Sequence, residues 1–375
     1  MAQRTPPLTA FFSVPRTRAV FALIASALLA CALPSHADIE AKRRPGASGL
    51  GSEAQPVRYA SRPEVMTFAT DLAMRRNLDV EWVRKHIGQA QSLPQVARLM
   101  APAPRGTPKN WTAYRARFIE PVRLRAGLAF WENNREWLAR AEAEFGVPAS
   151  LIVGVIGVES IYGQHTGNFR VIDALSTLAF DFPADHPRAG TRSAFFKDEL
   201  EQFLSLTQRN GLDPQTLLGS YAGAMGWPQF MPSSWIKYAI DFDGDGHVDL
   251  FSSQADVIGS VANYFKSFGW QPGVPTHFPV SVDGPQVDLD GLLAPDILPT
   301  FSVKSFTAKG ARLEGAALQY TGNLALVELE NGEAPRSYVA GTDNFYAVTR
   351  YNWSSYYAMA VIELGQTIKT QLSAR

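Results

Sequence analysis

The sequence predicts a mostly helical α+β protein, and three observations support this fold class. Between residues 62 and 272, most segments place apolar residues three and four positions apart, which is typical of amphipathic helices. Residues 273–341 instead alternate β-branched and polar residues between turn formers, as in "HFPVSVDG", "LPTFSVKSFT" and "LALVELENGEAPRSYVAG", so a small strand-rich insert is expected there. Residues 342–375 are rich in aromatic side chains and end in a helical pattern. We therefore expect a helical core, interrupted by one β insert and completed by the last helix.

The first 37 residues have the composition of a secretory signal peptide. Arginines precede the apolar run Ala19–Leu33, which is too short for a permanent membrane anchor. Two processing routes are open. Cleavage after Ala37 fits "SHA", whereas "LLAC" resembles a lipoprotein box with Cys31, the only cysteine of the chain, as the lipid acceptor. Both routes predict an exported protein, and neither supplies an internal disulfide.

The charge balance argues against a polyanionic partner. The chain has 35 basic and 35 acidic residues, and the signal peptide carries three arginines and no acid, so the mature chain has a formal net charge of −3. No basic field is available to steer the protein to nucleic acid. We therefore expect no nucleic-acid partner.

A flexible leader and an α-helical domain are expected before residue 146. Residues 38–61 are polar and rich in Gly, Pro and Ser, which favours a flexible leader. Residues 62–145 contain three stretches with helical periodicity, and a Pro-rich break lies at Met100–Asn110. These stretches are "PEVMTFATDLAMRRN", "DVEWVRKHIGQAQ" and "VRLRAGLAFWENNREWLARAEAEFG".

One carboxylate lies in an unusually apolar helical stretch, "LIVGVIGVES". The stretch follows Pro148, and proline suits the first turn of a helix because its missing N–H needs no partner there. Leu151, Val155 and Glu159 are four residues apart and share one helix face, and two glycines allow another backbone to approach closely. The pattern predicts that Glu159 ends a buried helix face.

A glutamate in this position has the properties of a general acid if it borders a cleft. Burial disfavours the charged form and raises the pKa, so the group can hold a proton near neutral pH, as a glycosidase acid must. A glycine-bearing turn follows Glu159, and Gly219–Trp235 supplies amide, hydroxyl and aromatic groups of the kind that bind sugars. The alternative is a glutamate that emerges at the helix end and pairs with an arginine.

The loop "DFDGDGHVDLFSSQAD" has the spacing of a calcium-binding loop. Positions 1, 3, 5 and 9 are aspartates, and Gly246 occupies the sharp turn at position 6. Position 12 is Ser252, where calcium loops of this kind have glutamate. The alternative is a solvated acidic turn. The aspartates are Asp241, Asp243, Asp245 and Asp249.

Five motifs follow one another along the chain. They are "GVESIYG", "GAMGWPQFMPSSW", "DFDGDGHVDLF", "IGSVANYF" and "TRYNWSSYYAMAV". In this order they resemble the membrane-bound lytic murein transglycosylase B family of peptidoglycan-cleaving enzymes, over about residues 62–375. The resemblance implies a lysozyme-like helical core at residues 146–272, with the α-helical domain before it and the β insert after it. It also implies non-hydrolytic cleavage of the β-1,4 bond between N-acetylmuramic acid (MurNAc) and N-acetylglucosamine (GlcNAc), which leaves 1,6-anhydromuramyl ends.

The resemblance also implies roles for individual residues. It makes Glu159 the single catalytic acid and base, and Arg192 resembles an arginine that contacts the stem peptide. The family usually has Gly-Tyr-Gly-Gln where this chain has Trp and Pro within Gly226–Gln229, a departure expected to reshape one wall of the groove. Two of the implied saccharide-binding tyrosines, Tyr264 and Tyr357, also lie on helical patterns that are typical of core aromatics. The saccharide-binding positions map onto Tyr114, Ser220, Gln229, Tyr264, Tyr351, Asn352 and Tyr357.

For the acidic loop, the resemblance implies a longer loop that Asp256 closes and in which His247 contributes its backbone carbonyl. A structural Ca²⁺ ion and no organic cofactor are expected. The expected partner is the peptidoglycan glycan strand, in the periplasm of a Gram-negative bacterium, and the protein is expected to be a monomer. Outer-membrane association is expected only if Cys31 is lipidated, and contacts with proteins of cell-wall synthesis or hydrolysis stay open.

Two other functions are consistent with parts of the pattern. A hydrolytic lysozyme would use the same Glu159 acid, with Asp173 as a candidate second carboxylate to position water. A calcium-responsive protein could bind glycan without cutting it, although sensor loops of this kind usually occur in pairs and the sequence contains one. Replacing Glu159 by Gln separates these hypotheses, because a binding protein would keep its function.

Overall fold

The computed structural model describes residues 57–101 and 109–375. The expected signal peptide with Cys31, most of the expected leader, and residues 102–108 of the Pro-rich break lie outside the described residues. Within the described ranges the chain is mostly helical and carries two small antiparallel sheets, so the predicted fold class is confirmed.

The helices and strands follow one another in the order that the periodicity predicts, with the strands concentrated late in the chain. The helices are α1 Pro63–Arg76, α2 Val80–Gln89, α3 Pro94–Leu99, α4 Trp111–Arg115, α5 Pro121–Asn133, α6 Arg135–Phe145, α7 Ala149–Ser160, α8 Val171–Phe180, α9 Ala189–Arg209, α10 Pro232–Tyr238, α11 Gln254–Ser267, α12 Leu289–Leu293, α13 Val303–Ala308, α14 Asp343–Thr349 and α15 Ser355–Ser373. The strands are β1 Phe169–Arg170, β2 Leu218–Gly219, β3 His277–Pro279, β4 Ala325–Asn331 and β5 Ala334–Gly341.

Local sequence explains where α5 and α6 begin and end. Pro121 occupies the first turn of α5, and the Glu120 carboxylate accepts hydrogen bonds from two backbone N–H groups of that turn, at 2.6 and 2.7 Å. The single periodic stretch across these helices is divided at Asn134, whose side-chain amide donates to the Phe130 carbonyl at 2.8 Å. The second helix ends at Gly146, which has a left-handed φ of +69°.

A sharp bend connects α6 with α7. The two helix axes differ in direction by 116°, so the apolar α7 turns into the interior. In the described ranges, no single helix combines the length and the apolar character that a bilayer span needs, and only this bent pair reaches them together.

The centre of the protein is the crossing of α7 and α15. A Cβ atom built on Gly154 would lie 2.2 Å from the Val361 carbonyl oxygen, and one built on Gly365 would lie 1.8 Å from the Ser150 carbonyl oxygen. The two backbones therefore approach more closely than any other residue type would allow at these positions. The last helix therefore packs against α7 in the core.

The β insert has a hydrophobic core of its own. Strand β5 lies between β3 and β4, and all pairs are antiparallel. Phe278, Leu292, Phe306 and Leu324 are among the buried residues that form this second core. The segment "LALVELENGEAPRSYVAG", predicted to contain strand, forms the hairpin of β4 and β5, with Gly332 at φ +66° in its turn.

Two expectations from the sequence were wrong. The segment "LPTFSVKSFT" was expected to form a strand, but it contains the helix α13, because the Ser302 hydroxyl accepts a hydrogen bond from the Ser305 N–H and caps the first turn. Ordered packing also begins before Arg62. Tyr59, placed in the expected flexible leader, is fully buried, and its hydroxyl donates to the Asp181 carboxylate at 2.6 Å.

Candidate active site

Glu159 lies at the end of the most deeply buried helix face, as the sequence predicts. Every other residue of α7 is buried, and Glu159 is the only residue of this helix that is partly exposed. The chain then leaves the helix abruptly, because Ile161 and Tyr162 have left-handed φ angles of +51° and +55° and Gly163 follows at +86°. The carboxylate therefore sits where a buried helix meets a turn.

Burial raises the pKa of Glu159 to about 7. The Tyr357 hydroxyl donates a 2.5 Å hydrogen bond to its Oε1 atom and offsets part of this increase by stabilising the charged form. Within the described chain, no second carboxylate contributes to the shift. The group can thus exchange a proton near neutral pH, which is what a combined acid and base requires.

Four tyrosines predicted to bind saccharide lie around this carboxylate. Burial first, and then the charge of Glu159, raises the pKa of Tyr114, Tyr351 and Tyr357. For Tyr264, burial is again the largest cause, and Glu159 contributes less. The Tyr351 and Tyr357 rings are stacked with centroids 6.2 Å apart, and the Tyr264 ring is 4.7 Å from Tyr351. All four hydroxyls stay protonated and can donate hydrogen bonds.

Only some of these hydroxyls are available to a ligand. Tyr264 donates to the Arg350 carbonyl at 2.7 Å and Tyr351 donates to the Pro228 carbonyl at 2.5 Å. In contrast, the buried Tyr114 hydroxyl and the buried Asn352 Oδ1 atom have no hydrogen-bond partner among the described residues. Buried polar atoms are nearly always satisfied, so these two atoms are positions where a ligand or ordered water would bind.

The loop that contains Ser220 and Gln229 packs against the turn after Glu159. The Gln229 side-chain amide donates to the Thr166 carbonyl at 3.0 Å and to the Gly226 carbonyl at 2.8 Å. Ser220 Oγ accepts from the Ala224 N–H at 3.0 Å and holds its own tight turn. The structure therefore brings both predicted residues to the same side of the molecule as Glu159.

Trp227 has a role that the sequence indicated only as a departure from the family pattern. Its ring covers Gly163, since a Cβ atom at Gly163 would lie 2.2 Å from that ring. Its indole N–H donates to the Phe251 carbonyl at 2.8 Å, and its backbone N–H donates to the Leu250 carbonyl at 2.9 Å. Trp227 thus joins the turn after Glu159 to the end of the acidic loop.

Arg192 and Asp173, two further residues considered from the sequence, are both buried. Arg192 is buried in α9 near Tyr221. The pKa of Arg192 is lowered mainly by burial and, to a smaller extent, by the positive charge of Arg188. Asp173 is buried and makes an ion pair with Arg170 at 2.7 Å, and it accepts from the Gln91 N–H. Asp173 is therefore engaged in structural contacts, which argues against a role in positioning water beside Glu159.

A second titratable carboxylate was not singled out by the sequence. Glu199 in α9 is buried, and burial raises its pKa to about 7. It accepts from the Ser233 backbone N–H at 2.9 Å and from the Ser233 hydroxyl at 2.6 Å, and so connects α9 to α10. Its position in an ordinary amphipathic helix has no sequence signal that distinguishes it from a surface glutamate.

The acidic loop gathers three of the predicted ligands. Carboxylate oxygens of Asp241, Asp243 and Asp256 lie within 4.8 Å of one another. Burial, and then the like charge of Asp243, raises the pKa of Asp256, which shows that negative charge accumulates there. Hard oxygen ligands at this separation fit Ca²⁺.

Asp245 and Asp249 accept hydrogen bonds from backbone N–H groups of the loop. Asp245 Oδ1 accepts from the His247 N–H at 2.8 Å, and Asp249 Oδ1 accepts from the Phe251 N–H at 2.7 Å. Neither Asp245 nor Asp249 joins the group of three, and the ring of His247 is exposed. Asp245 and Asp249 therefore shape the turn, whereas the carboxylates of Asp241, Asp243 and Asp256 also converge on one point.

Comparison with known proteins identifies relatives along most of the chain. A family model described as "Transglycosylase SLT domain" matches residues 60–366. The membrane-bound lytic murein transglycosylase B of Escherichia coli (strain K12) is 39% identical over 321 residues, which cover 83% of this chain and 84% of that protein.

Solved structures that resemble this chain are also lytic transglycosylases. The soluble lytic transglycosylase SltB1 of Pseudomonas aeruginosa is 39% identical, with a TM-score of 0.74, over 83% of this chain and 100% of that chain. The Escherichia coli lytic transglycosylase Slt35 in complex with calcium is 37% identical, with a TM-score of 0.72, over 84% of this chain and 95% of that chain.

Proposed function

Because this chain belongs to the transglycosylase SLT domain family and is a lytic transglycosylase that acts on peptidoglycan, we propose that Glu159 is its single catalytic acid and base. The observation that supports this role is the position of the carboxylate. Glu159 is the one partly exposed residue of a buried helix, its pKa is about 7, and no second carboxylate of the described chain acts on it.

In the first step, Glu159 acts as the acid. Its carboxyl proton moves to the glycosidic oxygen between MurNAc and GlcNAc while the bond from that oxygen to the MurNAc C1 atom breaks. The acetamide oxygen of the same MurNAc bonds to C1 and takes up the developing positive charge. A substrate with an N-acetyl group can supply this nucleophile itself, which is why one carboxyl group is enough.

In the second step, the resulting carboxylate acts as the base. It removes the proton from the 6-hydroxyl of the MurNAc, and the hydroxyl oxygen attacks C1 and displaces the acetamide oxygen. The product is a 1,6-anhydromuramyl end, no water is consumed, and Glu159 is protonated again. The Tyr357 hydroxyl supports the first step instead, because its 2.5 Å hydrogen bond stabilises the carboxylate that forms when Glu159 gives up its proton.

The saccharide is proposed to bind between the tyrosine cluster and the loop of Ser220 and Gln229. Tyr114 and Asn352 are best suited to direct contact, since their buried polar atoms have no partner within the described chain. Tyr351 is half-buried and can supply ring surface, whereas Tyr264 and Tyr357 are buried and hold the site together. Arg192 is proposed to face the stem peptide at the α9 side.

The acidic loop is proposed to bind a structural Ca²⁺ ion, as the Escherichia coli Slt35 structure with calcium supports. Asp241, Asp243 and Asp256 would hold the ion, with the His247 carbonyl as a further oxygen ligand. The ion would neutralise the accumulated charge and order the loop, and no organic cofactor is needed. For a peptidoglycan-cleaving enzyme with the expected signal peptide, we propose action in the periplasm.

The proposed role is tested by digestion of purified peptidoglycan with the wild-type protein, with Glu159→Gln and with Glu199→Gln. We expect anhydromuramyl ends from the wild type, and none from Glu159→Gln, by mass spectrometry of the muropeptides. Glu199→Gln is the matched control, because it also removes a buried carboxylate with a pKa of about 7 that contacts Ser233 and not Glu159, and it should keep the product.

Other outcomes favour the alternatives. Reducing ends from the wild type would indicate hydrolysis. Glycan binding without any product from the wild type would indicate a binding protein. Anhydromuramyl ends from Glu159→Gln at the wild-type rate would exclude Glu159 as the acid.

A further inference from the structure

A cavity outside the catalytic cleft lies between α2, the end of α9 and the loop that follows α9. Its volume is about 260 Å³, which is somewhat below that of pockets for drug-sized ligands and fits a single sugar ring. The lining includes one indole ring, one imidazole, one side-chain amide and one carboxylate. These belong to Trp82, His86, Gln208 and Asp213.

One ring nitrogen of His86, Nε2, faces the cavity and makes no hydrogen bond within the described chain. Its Nδ1 atom lies 2.7 Å from the Trp82 carbonyl, which can only accept, so Nδ1 carries the proton. Nε2 lies 4.0 Å from Oδ1 of Asp213, so the two atoms line the cavity without a direct hydrogen bond between them. His86 is 8% exposed, and Nε2 has no hydrogen bond within the described chain. A ligand hydroxyl can bridge the two groups, because a hydroxyl both donates and accepts hydrogen bonds.

The same wall of the cavity also offers a hydrogen-bond donor. The Gln208 Oε1 atom accepts from the Asp79 N–H at 3.2 Å, so the amide nitrogen of this half-buried side chain is left as a donor. The half-buried Trp82 ring packs against His86 with centroids 4.3 Å apart and adds an apolar surface. Hydroxyl donors, an acetamide carbonyl acceptor and an apolar ring face occur together in an N-acetylated sugar.

A short chain of contacts links the cavity to the loop that carries Ser220. The side-chain amide of Gln215 donates to the His86 carbonyl at 3.1 Å and accepts from Arg170, which lies in the strand that pairs with Leu218–Gly219. The cavity residue Pro214 precedes Ser220 by six residues, so the two are at most about 20 Å apart. A polymeric glycan can therefore contact both places at once.

We propose that this cavity, built by Trp82, His86, Gln208 and Asp213, is an accessory subsite for an N-acetylated sugar of a long glycan strand. The proposal deepens the function proposed above, because it rests on the action of the chain on polymeric glycan. Binding at two connected places raises the affinity for long strands without a change in the chemical step.

The test compares strands of different length on the variants Trp82→Ala and Asp213→Asn. Asp213→Asn keeps the acceptor for the Gln215 N–H, and so it preserves the loop while removing the charge. Glu81→Ala is the matched control, since it lies beside Trp82 on the exposed face of α2 and outside the cavity lining. The probes are stem-peptide-free strands of alternating GlcNAc and MurNAc, either two disaccharides or many disaccharides long.

For long strands, we expect Trp82→Ala to raise the KM by about tenfold with kcat unchanged, and Asp213→Asn to raise it less. For the short strand, both variants should match the wild type and Glu81→Ala. Equal effects at every length, or no effect at any length, would overturn the subsite. Calorimetric titration of long strands into Glu159→Gln, with and without Trp82→Ala, should show the same tenfold difference in Kd.

This design keeps the two proposals apart. If Glu159→Gln still cleaves strands, the catalytic assignment fails, yet the length dependence of Trp82→Ala still tests the subsite. If Trp82→Ala behaves as the wild type while Glu159→Gln is inactive, only the subsite fails.

Discussion

At Glu159, burial supports catalysis but destabilises the folded protein once the carboxylate is charged. Burial raises the pKa from the ordinary value of 4.5 to about 7, so the folded protein binds this proton more tightly than the unfolded chain does. The stabilisation that comes from binding this proton is complete below pH 4.5. It decreases as the pH rises toward 7 and is lost at pH values above about 7. The cost of the charged carboxylate at high pH is on the order of 2–4 kcal/mol.

Glu159→Gln should therefore raise the melting temperature above pH 7. We expect a gain of a few degrees relative to wild type at pH 8 and almost no difference at pH 4, measured by differential scanning calorimetry across this range. The neutral amide has no charged form, so it avoids the cost that appears on deprotonation. A melting temperature that is equal to or below that of wild type at pH 8 would contradict the assigned burial effect.

Tyr357→Phe should shift the pH dependence of activity. The Tyr357 hydroxyl stabilises the carboxylate of Glu159, so its removal raises the pKa of the acid further. We expect the alkaline limb of kcat/KM, near pH 7 in the wild type, to move to higher pH by about half a unit or more. Tyr264→Phe is the control, because that hydroxyl donates to the Arg350 carbonyl, and its alkaline limb should stay in place.

At the scale of the element, the crossing of α7 and α15 positions the acid. Tyr357 lies in the first turn of α15, and Glu159 lies in the last turn of α7, so their hydrogen bond depends on the relative placement of two helices that are far apart in sequence. The close backbone contacts at Gly154 and Gly365 set that placement. Trp227 adds a second support, through its contact with Gly163.

Gly365→Ala should destabilise the protein by about 3 kcal/mol or more, because the new methyl group would overlap the Ser150 carbonyl and force the helices apart. Gly190→Ala is the matched control. Gly190 is also helical, but nothing lies within 4 Å of its built Cβ atom, so alanine there should stabilise by about 0.5 kcal/mol. Urea unfolding measures both changes, and similar effects of the two variants would contradict the close-contact explanation.

At the scale of the whole molecule, one continuous core joins the N-terminal helices to the catalytic helices, and the β insert packs its own core beside them. The acidic loop is attached to this core through Asp256, whose buried carboxylate accepts from the Phe242 N–H at 2.7 Å. It is also attached to the turn after Glu159 through the Trp227 indole N–H. Order in the loop therefore affects the stability of the whole fold.

Calcium should raise the melting temperature of protein that has been treated with a chelator. At a free concentration of about 100 Kd, binding adds about 2.7 kcal/mol, or several degrees. Asp243→Asn should reduce this gain, because it removes one of the three converging carboxylates. Asp185→Asn, an exposed aspartate outside the loop, should keep it. An unchanged melting temperature in the wild type would contradict the calcium site.

Much of this fold could be predicted from residue order because the relevant signals are local. Apolar periodicity, Pro at helix starts and Gly332 in the hairpin act within a few residues, and so do the alternating aspartates from Asp241 onward. The position of Glu159 at the end of an apolar helix was also visible in this way. Local signals failed where a single cap decided the outcome, as Ser302 did for α13.

The sequence by itself determined the order of the helices, the place of the candidate acid and the spacing of the acidic loop. Only the tertiary structure decided what surrounds them. The pKa of Glu159 depends on burial and on Tyr357, 198 residues away, and the argument against Asp173 as a second catalytic carboxylate depends on its pairing with Arg170. Solvent exclusion and long-range hydrogen bonds are properties of packed surfaces, and no short stretch of sequence contains them.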